Sequence, residues 1–120
     1  MSCHDLDGFG IDVREKDGKR LAVSLGHRDL AGVRNTPTVY NAGLALVQFW
    51  DGRAADVEDQ ALKPMTNPVE MAMPDEAAVV RVVESIPGYV EAFAAAFPDE
   101  RQPITAKTIS HAIGAYERKL

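Results

Sequence analysis

The chain has 120 residues, of which 46% are hydrophobic and 26% charged, a size and composition typical of one globular domain. Its formal net charge is -5 and its Lys and Arg residues are scattered, which argues against a phosphate-binding surface and a polybasic membrane segment. We therefore expect neither nucleic acid nor lipid as a partner. No apolar run approaches the roughly 20 residues that span a bilayer, and the first residues do not resemble a signal peptide.

The first half of the chain is rich in glycine and has no sustained helical or alternating pattern. Seven of the nine glycines lie within the first 52 residues. This composition predicts loops, which bury little core of their own and whose backbone polar groups need partners. We expect a large, flat, apolar cofactor to fill that space. Cys3 is the one cysteine, so no intramolecular disulfide stabilises these loops.

The second half predicts four helices, one of them over residues 75–86, and no strand alternation, so the expected fold class is all-α. We expect Asp51-Gly52 and Thr105 to cap the first and last helices, and Pro64, Pro87 and Pro98 to end the first three. The predicted apolar faces, in chain order, are Ala54, Val57 and Ala61; Val79, Val82, Val83 and Ile86; Val90, Phe93 and Phe97; and Ile109, Ile113, Tyr116 and Leu120.

The first four residues, Met1-Ser2-Cys3-His4, contain the second half of a haem-attachment motif. A c-type haem is attached through Cys-x-x-Cys-His, in which both thiols form thioethers and the histidine ligates iron. The first cysteine would lie just before Met1, so we expect a truncated motif that holds haem poorly by itself. A Cys-His pair alone is weak evidence for a haem.

Four further segments carry a resemblance that covers nearly the whole chain. They are Ser24-Leu25-Gly26-His27, Arg34-Asn35-Thr36-Pro37-Thr38 with Asn41, Gln48-Phe49-Trp50-Asp51-Gly52-Arg53-Ala54, and Asn67-Pro68-Val69-Glu70-Met71. In residues, order and spacing they resemble the bacterial di-haem cytochrome c peroxidase family. The resemblance implies that residues 1–120 form the N-terminal, peroxidatic haem domain, an all-α, cytochrome c-like fold with long loops in its first half. The final Tyr116-Glu117-Arg118 resembles the crossing to a second haem domain, so we expect an N-terminally incomplete domain without that second domain.

The resemblance also implies which residues hold haem c. His4 matches the proximal iron ligand, with Cys3 as its thioether partner. His27 matches the histidine that closes the opposite face of the iron in the resting state, and Gly26 precedes it in a loop that could swing the imidazole on and off the metal. Arg53 could pair with a haem propionate, or with a carboxylate on its own helix.

The catalytic residues that the resemblance implies are Glu70, Gln60 and Trp50. Glu70 matches the glutamate that would move a proton between the two peroxide oxygens while their bond breaks. We expect an apolar setting that includes Met71 and Phe49 to favour its protonated form. Gln60 matches a second distal polar residue, whose amide could orient the peroxide. Trp50 either anchors a core or takes part in electron transfer between the haems.

The resemblance implies two kinds of partner. Asn35 matches a residue that helps bind calcium between the two domains, whose other ligands come largely from the second domain. The reaction would be reduction of hydrogen peroxide to water, with electrons from a small electron-donor cytochrome or copper protein. Because those electrons enter through the other domain's haem, we expect the isolated chain to be inactive in turnover. The family further implies a periplasmic location and a homodimer of the full-length enzyme.

Three alternatives stay open from the sequence. Related di-haem enzymes oxidise the side chains of a partner protein, a chemistry that a site without the closing His27 would suit better. The chain could be a monohaem electron-transfer module, but that function would not require Glu70 and Gln60 to lie close together. An apo helical fragment without activity would bind nothing.

Overall fold

The computed structural model describes residues 3–120, so Met1-Ser2 of the predicted attachment motif lies outside the described residues. The prediction of a mostly helical chain is confirmed. Within the described residues the α-helices are α1 (Val57–Ala61), α2 (Lys63–Thr66), α3 (Glu76–Glu84), α4 (Pro87–Ala96) and α5 (Ala106–Glu117). Short 3₁₀ turns occur at His27–Asp29 and Ala42–Leu44. None of these helices is long and apolar enough to cross a membrane.

A small hairpin is the exception to the all-α prediction. Strand β1 (Glu15–Lys16) pairs in antiparallel with β2 (Lys19–Arg20). Asp17 and Gly18 join them with φ angles of 54° and 71°. An Asp-Gly pair with both residues in the left-handed region favours a tight hairpin turn, because its twist matches that of the two strands.

Helix α1 begins later than predicted, and Asp51-Gly52 does not cap it. Asp56 is the cap: its backbone is extended and its carboxylate accepts a hydrogen bond from the backbone N–H of Asp59 at 2.8 Å. Ala54 is buried as predicted, but it lies outside the helix, in a backbone bridge with Gln48. The turn over residues 49–52 therefore belongs to a loop.

Helices α1 and α3 end before Pro64 and Pro87 as predicted, and the same two prolines also begin the next helices. Pro64 and Pro87 occupy the first turns of α2 and α4, where the missing N–H of proline costs no hydrogen bond. The predicted cap Thr105 is confirmed: its hydroxyl accepts from the Thr108 N–H, and the Thr108 hydroxyl accepts from the Thr105 N–H. Asp75 caps α3 by accepting from the N–H of Ala78 at 2.7 Å.

The hydrophobic core is built from the second half of the chain. Its buried members are Leu62, Val79, Phe93, Ile104 and Ile109. The predicted apolar faces are only partly buried, because α3 and α4 contact this core along a narrow stripe centred on Val79 and Phe93. On α5, Ile109 is buried, whereas Tyr116 is 56% exposed and does not belong to the core.

The loops of the first half are ordered by backbone bridges instead of by a shared core. Asp5 pairs with Ile11, Leu25 with Ala31, and Gln48 with Ala54. We call residues 5–11, 25–31 and 48–54 the first, second and third bridged loops. Each loop contains a non-glycine residue with positive φ, such as Phe9, Arg28 or Phe49. This backbone conformation bends the chain sharply, so that the two ends of each loop can pair.

Candidate functional site

The three bridged loops carry or adjoin most of the predicted site residues. Cys3 and His4 directly precede the first loop, His27 lies in the second, and Trp50 and Arg53 lie in the third. The functional residues of the first half are thus placed by local loop closure. Loops that are held in this way can present side chains without a hydrophobic core beneath them.

A central segment, residues 34–42, connects all three loops, and it contains the predicted motif around Asn35. Backbone and side-chain groups of this segment bond to the first and third loops, and to Ser24, which directly precedes the second loop. The bonds are Val39 N–H to Gly10 C=O at 3.2 Å, Thr38 hydroxyl to Phe9 C=O at 2.6 Å, Ser24 hydroxyl to Thr36 hydroxyl at 2.5 Å, Trp50 Nε1 to Asn35 C=O at 3.0 Å, and Gln48 Nε2 to Ala42 C=O at 2.8 Å. The motif is therefore a scaffold for the loops.

His4 is oriented by the loop that follows it. Its Nδ1 lies 3.1 Å from the backbone carbonyl oxygen of Gly10. An Nδ1–H that donates to a carbonyl places the lone pair on Nε2, which is the arrangement that metal-ligating histidines commonly use. Both His4 and Cys3 are half-buried. This geometry suits a proximal ligand next to an attachment cysteine.

His27 and Glu70 are brought together by direct backbone contacts. The N–H of His27 donates to the carbonyl oxygens of Val69, at 3.0 Å, and Glu70, at 2.7 Å. Gly26 permits this approach, because a Cβ at that position would collide with the carbonyl oxygens of both residues. The exposed imidazole of His27 is thus carried by a loop that lies directly on the Glu70 segment.

The Glu70 carboxylate is held by Asn67, which the sequence analysis placed in the same motif without a chemical role. The Asn67 amide Nδ2 donates to Glu70 Oε1 at 2.8 Å, while Asn67 Oδ1 accepts from the N–H of Val69 at 2.9 Å. The prediction that Met71 contributes to an apolar setting around Glu70 is wrong, because Met71 is 58% exposed. Asn67 and Glu70 are three residues apart in one turn, and that spacing is the signal that could have identified the pair.

Gln60, Trp50 and Arg53 lie on elements other than the Glu70 turn. Gln60 lies in α1 and is half-buried. Trp50 is 62% exposed, so it does not anchor the core, and its indole N–H is fixed by the carbonyl of Asn35. Arg53 pairs with Asp51 at 2.8 Å in the third bridged loop, and its guanidinium lies 3.4 Å from the centre of the Phe49 ring. Arg53 therefore pairs with a carboxylate in its own loop, and not with one on its own helix, which was one of the two predicted partners.

The calcium prediction for Asn35 has no support from neighbouring ligands. The Asn35 side chain is exposed, and its carbonyl oxygen already accepts the Trp50 indole N–H. Among residues 3–120, no group of three or more His, Cys, Asp or Glu side chains could hold a metal ion. A calcium site involving Asn35 stays a prediction.

A buried ion pair that the sequence analysis missed lies beside the attachment segment. The Asp12 side chain is 6% exposed, and the Arg14 guanidinium binds it through Nε, at 2.8 Å from Oδ1, and through Nη2. Arg14, together with the Ser24 hydroxyl, holds the pKa of the Asp12 carboxyl well below its usual range. The two residues are separated by one position, a spacing that gives no helical or motif signal.

Comparison with known proteins identifies the class of protein. The family model described as di-haem cytochrome c peroxidase matches residues 1–120. The chain belongs to this family. Cytochrome c551 peroxidase of Pseudomonas aeruginosa is 40% identical over 99% of the chain and 32% of its own length. The methylamine utilization protein MauG of Paracoccus denitrificans is 46% identical over 80% of the chain and 28% of its own length.

The fold comparison agrees with the family assignment. The crystal structure of a MauG-like protein associated with microbial copper homeostasis superposes with a TM-score of 0.80 and 30% sequence identity. The superposition covers 97% of this chain and 33% of that one. The chain therefore spans about a third of the length of the relatives that it matches.

The residues of the first half fit a haem. Cys3 offers a thiol for one thioether and His4 an imidazole for the iron, and a bond from Nδ1–H to the Gly10 carbonyl would leave Nε2 as the ligating atom. The first half also leaves large apolar side chains in solvent, including Phe9, Val33 and Leu46, the last 96% exposed. Contiguous or abundant exposed apolar surface on a small domain marks a place that another apolar group covers.

Proposed function

We propose that this chain is the peroxidatic haem domain of a di-haem cytochrome c peroxidase, which reduces hydrogen peroxide to water. The observation that carries the proposal is the docking of the His27 loop on the Glu70 segment. This docking supports the proposal, because it brings together the backbones of a candidate closing ligand and a candidate proton-transfer residue, on loops that fit the family's motifs. When bound, the haem supplies the electrons and the position at which the peroxide binds.

Cys3 and His4 would hold the haem, the cysteine through a thioether and the histidine through Nε2. His27 would be a second, releasable iron ligand in the resting state. Because its imidazole is carried by a 3₁₀ turn with no buried side chain, it can leave without disturbing the core. Departure of His27 would open the site to peroxide.

Glu70 would accept a proton from one peroxide oxygen and return it to the other, which leaves as water. The bond from Asn67 Nδ2 restrains one carboxylate oxygen, so the other faces a fixed direction. Gln60 would contribute an amide that hydrogen-bonds the peroxide. Such a pair of oriented groups is what peroxide cleavage near neutral pH requires.

Electrons would come from a small electron-transfer protein, by way of a second haem domain. Trp50 is a candidate for that route, since its indole is exposed and is held in one orientation by the Asn35 carbonyl. The same family assignment supports a periplasmic location. Oxidation of a partner protein's side chains is the second candidate, favoured by the identity with MauG. His27 favours the peroxidase, since a closing ligand suits a resting peroxidase.

The experiment tests Glu70 in the chain loaded with haem, prepared with a cysteine placed directly before Met1 and a c-type haem attachment system. His27→Ala is used as the background, so that peroxide reaches the haem equally in every variant. The measured quantity is the rate at which hydrogen peroxide oxidises chemically reduced haem, which requires no second domain. Adding Glu70→Gln should slow this rate by about 100- to 10,000-fold.

Glu84→Gln on α3 is the matched control, because Glu84 is an exposed glutamate outside the candidate site. It should leave the rate unchanged. Glutamine preserves the size of residue 70 and its bond from Asn67, so a packing defect is not introduced. A rate within about twofold of the background, roughly 0.4 kcal/mol of barrier, would exclude Glu70 as the proton-transfer group.

A further inference from the structure

The Arg14 guanidinium contacts both parts of the chain that are proposed to hold the iron. Beyond its pairing with Asp12, its Nη2 donates to the backbone carbonyl of Leu25 at 3.2 Å and lies 3.7 Å from the Cys3 sulfur. Leu25 closes the second bridged loop and lies two residues before His27. One cation thus joins the attachment segment to the base of the loop that carries the closing histidine.

Asp12 fixes the direction in which Arg14 points. Its carboxylate accepts from the Arg14 backbone N–H at 3.0 Å as well as from the side-chain Nε, so the residue is held at both ends. Two parallel bonds between a guanidinium and a carboxylate restrict rotation of the planar group. The remaining N–H of Nη2 is therefore already aimed at Leu25.

The second bridged loop is held from two sides. Arg14 contacts its base at Leu25, and the carbonyls of Val69 and Glu70 accept the N–H of His27 in the middle of the loop. The 3₁₀ turn between these points contains Arg28 at φ 53° and Asp29 at φ 60°, a backbone conformation that non-glycine residues adopt only when their surroundings hold it. The loop's own bridge and the Ser24–Thr36 bond at its base would remain, so loss of one of these two contacts should loosen the loop without unfolding it.

We propose that Arg14 is a positioning residue for His27, because its bond to the Leu25 carbonyl holds the loop where the imidazole reaches the haem iron. A fixed loop keeps the imidazole at a high effective concentration beside the metal, and a loose loop does not. The inference rests on the proposed role of His27 as a ligand. The segments that carry the family resemblance in the sequence analysis do not include Arg14.

The test uses the haem-loaded chain and two variants. Arg14→Gln removes the bond to Leu25, and the double variant Asp12→Asn with Arg14→Gln does so without leaving a buried carboxylate unpaired. In both, the ratio of low-spin to high-spin haem should fall about 10-fold, the size expected from one lost hydrogen bond of a charged donor. Haem content should equal that of the parent. Arg20→Gln is the matched control, because the one side-chain hydrogen bond of Arg20 within the described residues goes to the Asp12 carbonyl oxygen, at 3.4 Å, and not to the His27 loop.

A second readout follows the loop itself, in the chain without haem. The N–H of His27 should exchange with solvent about 10-fold faster in both Arg14 variants, measured relative to the N–H of Ile109 in the core helix α5. Unchanged spin ratio and unchanged relative exchange would overturn the positioning role. If His27→Ala leaves the parent spectrum unchanged, the ligand assignment fails instead, and the exchange rate still tests the anchor.

Discussion

Replacing Gly26 with alanine should separate the second bridged loop from residues 69–70. A Cβ at this position would collide with the Val69 carbonyl oxygen and lie 2.6 Å from that of Glu70. The colliding atoms belong to the backbone, so they cannot move away by a rotamer change as a side chain can. The loop therefore has to shift, and the N–H of His27 loses its two acceptors. Overpacking and one lost hydrogen bond together lower the free energy of unfolding by about 2 to 4 kcal/mol.

The assay is thermal unfolding of the chain without haem, followed by far-ultraviolet circular dichroism. For a domain of this length each kcal/mol shifts Tm by roughly 4 °C, so we expect a fall of about 8 to 16 °C. Gly32→Ala is the control in the same part of the chain, because a Cβ there would make ordinary contacts with the carbonyls of Ser24, at 3.4 Å, and Arg34, at 3.5 Å.

The control should change the free energy of unfolding by less than about 1 kcal/mol. If Gly26→Ala and Gly32→Ala both lie within about 0.5 kcal/mol of the parent, a range typical of neutral surface changes, the His27 loop does not dock on the Glu70 segment. The haem-loaded Gly26→Ala variant should also lose low-spin haem, since the imidazole moves with the loop.

Further predictions concern Asn67, Thr105 and the Glu58–Arg118 pair. Asn67→Ala should slow the peroxide oxidation of reduced haem by about 10- to 100-fold, and an unchanged rate would show that Glu70 needs no orientation. Thr105→Ala removes the bond that the Thr105 hydroxyl accepts from the Thr108 N–H, and should lower the free energy of unfolding by about 1 kcal/mol in urea denaturation; an equal stability would contradict the cap. The Arg118 side chain lowers the pKa of Glu58, so their pairing stabilises the fold above glutamate's ordinary pKa and is lost as pH falls through the lowered one. The Tm values of the parent and Glu58→Gln should therefore differ at neutral pH and converge in acid, and a constant difference would contradict the pairing.

The helical half of the chain was largely predictable because its signals are local. Thr105 caps α5 as its position before an apolar stripe indicates, and Val79, Phe93 and Ile109 are buried as their spacing predicts. The errors fall at helix ends, where Pro64 fits the first turn of a new helix as well as the end of an old one.

The arrangement of the first half could not be derived from periodicity, because loops closed by single bridges leave none. The sequence resemblance identified His27 and Glu70 as a pair, but only the structure shows the bonds of the His27 N–H to the Val69 and Glu70 carbonyls. Long-range polar contacts such as that from Arg14 to Leu25 depend on how the loops pack. The hairpin at Asp17-Gly18 was predictable, since an Asp-Gly pair is a strong hairpin signal.

The visible absorption spectrum of the haem-loaded chain, prepared with the added cysteine, tests the proposed site most directly. The proposal predicts haem that stays on the polypeptide in denaturant, with low-spin bands in the native state that become high-spin when His27 is replaced by alanine. Exposed His111, on α5, provides the control, and His111→Ala should leave the spectrum unchanged. Loss of all haem in denaturant, or a low-spin spectrum that survives His27→Ala, would contradict the proposed site.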